Sequence, residues 1–523
     1  MKLVIYEPAP RDNYWFHTSI RTPHLGAPIL ATLARQRGHD ATVVSEMLGP
    51  LDWSTLDGAD LAGISINTGL THQRAYEIAA EIRRRRPDLP IVGGGHHATM
   101  NPSEALMHVD YVIRGYAEGS FVDLIEEIRD GVQRPTSPAV SYLDPETGHQ
   151  IDNPTRSANP IGAMPDLNVI AGYAELIRRN RYKPQTYGTF LPLSYWSRGC
   201  AFKCHFCSIP VADDPRMAYR TTEEVVKDLR TQLEFYRYPY LRPKVWLIDD
   251  NFGQHFEPTR RFLRELAEVP LPCDFVVQAR VEIGRDPELL QLMRKARFRS
   301  VYVGVESFSD ESLTNMNKRS SIEKVEKAVK AIQAAGMNVV ALLMFGNEGD
   351  RPGGAESTLR YLRALKIAHV NPQITVPYPG TEFHRQMRDG GRIFSNAFYD
   401  CNKRPVHFPS TMRPSQVVRD IRDLTARHLT RRQVLSNMVR HHDFQSLITR
   451  HGVVSSGFLD RVLESVPDLE QLEAPYYTSH HHLREEVLQR DQRAGRFEEL
   501  ASRQRREHLA RAAQVGGVEA LAE

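Results

Sequence analysis

Residues 193–210 read LSYWSRGCAFKCHFCSIP, a short aromatic strand pattern followed by three of the chain's five cysteines. Cys200, Cys204 and Cys207 are spaced by four and three. A structural zinc site takes four ligands, usually as two separated C-x-x-C pairs. No second pair exists here, because Cys273 and Cys401 stand alone, and only His205 lies inside the triad. A disulfide framework would need a denser, even-numbered set. Three thiolates suit a cubane iron–sulfur cluster that keeps one iron open to a substrate or cofactor.

Outward from the triad, apolar runs alternate with helical stretches. LSYWS (193–197), KVWLIDD (244–250), DFVVQAR (274–280), SVYVGVES (300–307), NVVALLMFG (338–346) and PQITVPYP (372–379) read as strands. Segments such as TTEEVVKDLRTQLEFYR and IEKVEKAVKAIQAAG between them have helical spacing. This predicts a partial (βα)6 barrel over 191–405, with functional groups on loops at the carboxyl ends of its strands. Residues 1–135 repeat the alternation (KLVIY, DATVVS, LAGISI, LPIVGGG, VDYVIRG), which predicts a doubly wound, Rossmann-like parallel sheet. Gly38 stops its first helix, and Pro102 sits just inside the start of its third. Residues 136–190 are rich in Pro, Asn, Ser and Gly and read as a hairpin and linker. Residues 406–523 read as a mostly helical region and possible substrate lid, ending in a charged helix of alternating sign.

The bulk composition narrows the function class. At 523 residues, 41% hydrophobic and 25% charged, the chain reads as an ordinary soluble globular protein, and the strand–helix alternation makes its class α/β. Its 67 basic and 64 acidic residues leave a net charge of +3, too balanced for a nucleic-acid binder. No apolar run approaches the ~20 residues of a membrane helix. The start, MKLVIYEPAP, lacks a signal-peptide core, so the expectation is a cytoplasmic protein in a reducing compartment.

The triad with Phe206 matches C-x-x-x-C-x-aromatic-C, and over about 190–400 the chain resembles the radical S-adenosylmethionine superfamily. The resemblance implies a [4Fe-4S] cluster on Cys200, Cys204 and Cys207, and Phe206 near the adenine of S-adenosylmethionine. It implies contacts to the rest of that cofactor from groups at strand ends: Asp249, Asp250, Asn251, Gln278, Arg280, Glu306 and Ser307. It also implies an electron donor such as flavodoxin or ferredoxin. Buried carboxylates cost several kcal/mol unless paired, and a sulfonium ligand with an ammonium would pair them.

The front half resembles the cobalamin-binding domain that precedes many such barrels. Ser65-Ile66-Asn67 lies where that family has a Ser-x-Leu turn, and Gly93-Gly94-Gly95 where it has a Gly-Gly turn. The implied cobalamin contacts are Ser65, Asn67, Thr68, Gly69, Gly93, Gly94, Gly95, His96, His97, Gly115, Tyr116 and Glu118. Tyr14 and Trp15 are candidates to fill space near the corrin. The D-x-H-x-x-G stretch that supplies an axial histidine in methionine-synthase-type domains is absent. That leaves three possibilities: no protein imidazole on the cobalt, a different axial group, or a domain that has lost the cofactor.

Together the resemblances imply a cobalamin-dependent radical enzyme that methylates an unactivated carbon of a small natural-product intermediate. One S-adenosylmethionine would supply the methyl group and a second the hydrogen-abstracting radical. The competing readings are a rearrangement, cyclisation or dehydrogenation without methyl transfer, and a non-enzymatic iron–sulfur redox sensor or binding module. In the C-terminal region, YYTSHHHL (476–483) is a candidate substrate contact.

Overall fold

In the computed structural model the described residues are 1–9, 24–67, 71–155, 161, 164–180, 192–212, 217–235, 242–395, 405–432, 434–435, 463 and 466–479. Tyr14, Trp15, Thr68, Gly69, Cys401 and residues 480–523 lie outside them.

The first half comprises β1 (Lys2–Glu7), α1 (Gly26–Gln36), β2 (Asp40–Ser45), β3 (Leu61–Ser65), α2 (His72–Arg85), β4 (Ile91–Gly94), α3 (His96–Met100), α4 (Pro102–Ala105), β5 (Tyr111–Ile113), α5 (Glu118–Arg129), β6 (Val140–Leu143), β7 (Gln150–Asp152) and α6 (Tyr173–Asn180). Its sheet runs β2-β1-β3-β4-β5-β6-β7, parallel as far as β5. The parallel strands are near-continuous apolar runs because both faces are covered. Leu3, Ile5 and Val43 pack on α1 and α5, whereas Val4, Tyr6 and Ile64 pack on α2. Strand β1 pairs with β2 on one side and β3 on the other. The crevice outside the carboxyl ends of β1 and β3 is therefore the switch point, where sheets of this kind take ligands.

The hairpin expected as a separate linker element belongs to this sheet. β6 pairs antiparallel with β5 (Tyr111↔Tyr142, Ile113↔Val140), and β7 follows it. Leu167, Val169, Ile170 and Tyr173 enter the same core, and Ile170 bridges Val43. The Pro- and Ser-rich composition marks real turns, but strands of three and four residues are too short to register as periodic.

The second half comprises β8 (Leu193–Ser194), β9 (Ser197–Arg198), α7 (Ile209–Ala212), β10 (Ala218–Tyr219), α8 (Thr222–Phe235), β11 (Lys244–Leu247), α9 (Phe256–Ala267), β12 (Asp274–Arg280), α10 (Pro287–Lys295), β13 (Phe298–Glu306), α11 (Asp310–Asn315), α12 (Ile322–Ala334), β14 (Asn338–Phe345), α13 (Gly354–Ala364), β15 (His369–Ile374), α14 (Glu382–Asp389), α15 (Pro414–His428) and α16 (Val466–Ser479). Six strands form a parallel sheet in the order β15-β14-β13-β12-β11-β8, the arrangement of an open (βα)6 barrel. Val245, Leu247, Phe275, Val277, Val301, Val303, Val339 and Ala341 face the helices and form the main core. The last strand lies earlier than PQITVPYP suggests. Pro377 and Pro379 lack the N–H a ladder needs, and Pro372 is tolerated because β15 is an edge.

The two halves share a wall. Leu25 and Ile29 at the start of α1 are buried against Tyr195, and α3 touches α7 just after the triad. Among the described residues no helix is long and apolar enough to cross a membrane.

Candidate active site

Cys200, Cys204 and Cys207 are free, partly buried thiols on the loop between β9 and α7. They lie close enough for Cys207 to feel both of the others electrostatically. Burial raises the Cys200 thiol and pushes Cys207 up to about 12. Ligation by a metal would therefore release protons. Three convergent thiols on one loop suit a cluster with an open position.

The segment after β11 and the end of α11 hold this loop. Asp250 accepts the Gly199 N–H at 2.7 Å, and Gln254 accepts the Ala201 N–H at 3.2 Å. His205 donates its backbone N–H to Met316 O (3.0 Å) and Nδ1–H to Asn315 O (3.1 Å). Asn317 donates to Lys203 O at 2.8 Å. His205 is thus a strut between the loop and the end of α11.

The strand-end residues divide into distinct roles. Arg280 donates from Nη1 to Cys204 Sγ (3.1 Å), stacks 3.9 Å over the Phe202 ring and pairs with Glu282 at 3.1 Å. Asn251 reaches Cys200 Sγ with its amide nitrogen at 3.9 Å, and its oxygen accepts the Arg280 N–H at 3.2 Å. Gln278 is exposed on the face turned away from the helices. Phe206 is half-buried in the loop.

Asp249 departs from its expected cofactor contact. Its carboxylate is 3% exposed and accepts the Trp196 and Ser197 N–H groups (2.9 and 2.8 Å) and the Ser197 hydroxyl. Burial raises it to about 6. With its acceptor sites occupied by the backbone that leads to Cys200, it acts as a brace. Ser307 likewise closes a turn, its hydroxyl accepting the Ser309 N–H at 3.2 Å.

Glu306 sits beside the triad with left-handed backbone (φ 64°), a strained state that persists only when its surroundings enforce it. Oε1 lies 2.5 Å from Lys318 Nζ, and both side chains are nearly buried. A Cβ on Gly304 would come within 2.7 Å of Glu306 Oε1 and 2.9 Å of Lys318 Nζ. Glycine in VYVGVES therefore makes room for this ion pair. The Lys318 backbone carbonyl also accepts a hydrogen bond from Arg280 Nη2.

At the edge of the front sheet, Asn67 donates to Ser65 Oγ at 2.9 Å and accepts the His96 N–H at 3.3 Å. The close approach that the glycines permit is within the protein. A Cβ on Gly93 would lie 2.6 Å from Ile66, and one on Gly95 (φ 123°) 2.6 Å from Asn67 Oδ1. Gly94 forms the end of β4, and Gly115 donates its N–H to Thr99 at 2.9 Å.

His97 departs from the expected corrin contact because successive helical residues point about 100° apart. It turns into the core, 2% exposed, stacked on His72 (4.0 Å, 15°) with Nε2 3.2 Å from Glu104. The ligand atoms of His72, His97 and Glu104 lie within 4.8 Å of one another, although the stacked rings hold the two imidazole lone pairs in nearly parallel planes. Glu118 and Tyr116 also depart from that expectation. Glu118 is bonded to Arg198, whose guanidinium lies 4.9 Å over the Tyr116 ring. Tyr476, from the proposed substrate motif, stacks on Phe408 at 4.0 Å.

Sequence reasoning missed Arg198, Lys318, Phe202, Glu7 and His24. Arg198 directly precedes the Gly-Cys of the triad, a usable signal. Lys318 sits in an exposed-looking NKR run that gives none.

Two family models match: the B12 binding domain over residues 19–125 and the Radical SAM superfamily over 194–362. The bacteriochlorophyllide d C-8(2)-methyltransferase of Chlorobaculum tepidum is 26% identical over 384 residues, covering 71% of this chain and 77% of that one. An anaerobic magnesium-protoporphyrin IX monomethyl ester cyclase of Rubrivivax gelatinosus is 24% identical over 348 residues (65% and 60%). The radical S-adenosylmethionine methyltransferase TsrM from Kitasatospora setae, solved with cobalamin and a [4Fe-4S] cluster, shares the fold. Its TM-score is 0.60 at 18% identity, over 75% of each chain.

Proposed function

Because the chain joins a B12 binding domain to a radical SAM domain, and so belongs to the cobalamin-dependent radical S-adenosylmethionine enzymes, we propose that it methylates an unactivated carbon of a small natural-product intermediate. The observation that carries this reading is the shared wall, where Glu118 of the front domain meets Arg198 of the triad strand. Methyl transfer needs the methyl carrier and the radical source to face one substrate.

When bound, the cluster supplies the electron that cleaves S-adenosylmethionine, and the corrin carries the methyl group. Cys200, Cys204 and Cys207 hold the cluster, and Arg280 keeps positive charge against Cys204. Glu306, Asp250, Asn251 and Gln278 offer acceptors to the ammonium and ribose hydroxyls of S-adenosylmethionine, with Phe206 beside its adenine. Ser65, Asn67, Gly93–Gly95, His96 and Gly115 frame the cobalamin edge. An external donor such as flavodoxin or ferredoxin supplies electrons.

The helix-free face of the second sheet offers a substrate both apolar and polar groups. Trp246 stacks on Tyr302 (5.0 Å, 24°), and Ile248 is 40% exposed. By strand alternation and register, Leu342, Met344, His369, Asn371 and Gln373 share that face. Arg280 and Glu306 place charge at the triad end of that face. The two relatives above are named for a bacteriochlorophyllide and a magnesium-protoporphyrin monomethyl ester.

The cyclase relative favours one second reading, a radical cyclisation without methyl transfer. Anaerobic turnover with methyl-labelled S-adenosylmethionine and candidate metabolites separates the two by product mass. Label in the product supports methylation, whereas 5′-deoxyadenosine with an unlabelled, altered product supports cyclisation.

A further inference from the structure

Glu7, the last residue of β1, is 1% exposed, yet one of its carboxylate oxygens is almost entirely occupied by one residue. Oε1 accepts both the backbone N–H of His24 at 2.6 Å and its Nδ1–H at 2.8 Å. Oε2 is buried with no hydrogen-bond partner. A buried carboxylate is costly unless paired, so its use as a clamp on one imidazole calls for a reason. The His24 side chain is 48% exposed, and its Nε2 has no bonded group among the described residues.

His24 stands at the carboxyl end of β1, two residues before α1, beside the β1/β3 switch point. Its charge also interacts with that of His96, which follows the Gly93–Gly95 turn. Carboxylate-bound Nδ1–H is the arrangement by which proteins fix the tautomer and orientation of a metal-binding histidine, leaving the Nε2 lone pair to the metal.

We propose that His24 is an axial cobalt ligand, its Nε2 coordinating the corrin held at the β1/β3 crevice while Glu7 holds Nδ1–H. This rests on the reading of the front domain as a cobalamin site. It would make the axial group one that no D-x-H-x-x-G stretch announces, because its carboxylate comes from seventeen residues upstream. Coordination uses neutral Nε2, so a protonated His24 gives up one proton and no electron is transferred.

The test is electron paramagnetic resonance of the full chain loaded with cob(II)alamin and freed of unbound corrin. The expected spectrum has threefold nitrogen splitting on the cobalt lines, which becomes twofold when the chain carries 15N-histidine. His24→Ala should keep the corrin, by absorbance, and lose that label-sensitive splitting. Unsplit lines from retained corrin would overturn the inference and leave the cobalamin reading standing. Splitting insensitive to 15N-histidine would mean that the corrin's own base is the ligand, and would also overturn it. Splitting that survives in His24→Ala would assign the ligand to another histidine. A parent chain that retains no corrin would sink the inference together with the reading beneath it.

Discussion

Glu118, the first residue of α5, is ion-paired with Arg198, two residues before Cys200. The side chains are 11% and 15% exposed, and the guanidinium also lies 4.5 Å over Tyr195 and 4.9 Å over Tyr116. One pair thereby ties the corrin-side turn to the cluster-side strand.

Binding at the front edge should consequently be felt at the triad. Hydrogen exchange of the full chain, with and without hydroxocobalamin, should slow in both 111–118 and 199–207. In Glu118→Gln the slowing should persist in 111–118 and vanish in 199–207. Breaking a buried pair costs about 3 kcal/mol, so a lower urea midpoint is also expected. Equal protection of both segments in the variant would refute the coupling.

Anaerobic reconstitution should give four iron and four sulfide per chain, lost in the Cys200, Cys204 and Cys207 triple Ala variant. Cys273 is buried in the barrel core. Cys273→Ala should keep the cluster and lower stability by about 1–2 kcal/mol, through a small cavity. Near-full iron in the triple variant would remove the cluster assignment.

Glu306→Gln is expected to weaken S-adenosylmethionine binding by about 10–100-fold, the worth of a charge-assisted bond of about 1.5–3 kcal/mol. It also strands the Lys318 ammonium beside a neutral amide, so stability should fall. Glu306→Gln with Lys318→Met removes both charges and should restore the urea midpoint but not the affinity. Calorimetry on reconstituted protein reads the second quantity. If affinity returned with stability, Glu306 would serve only to neutralise Lys318.

His428 on α15 is 4% exposed and donates Nε2–H to Ala368 O at 3.1 Å. Burial lowers its pKa from 6.5 to about 4. The unfolded chain therefore binds this proton more readily, and stability is lost as pH falls from about 6.5 towards 4. The shift is worth about 3 kcal/mol at 1.36 kcal/mol per pH unit. His428→Gln lacks this dependence, so its urea midpoint should approach that of the parent as pH drops. A constant difference between the two across that range would contradict the assignment.

Alternating apolar runs of ordinary strand length made both parallel sheets legible, since buried strands and amphipathic helices impose different periods on one chain. The Cys200, Cys204 and Cys207 spacing pointed to a cluster loop for a similar reason, because ligands on one short loop are close in space whatever the rest does. Asp249 and Glu118 were misread because a carboxylate's partner lies across the sequence: Ser197 is 52 residues from Asp249, and Arg198 is 80 from Glu118.

The sequence by itself therefore determined the elements, the order of the two domains and the thiol triad, all of which follow from local periodicity and spacing. Only the tertiary structure decided which carboxylate braces, which clamps two domains and which holds His24. Hydrogen bonds are satisfied between strand ends that the chain visits far apart, and a buried acid is costly until one of them supplies its donor.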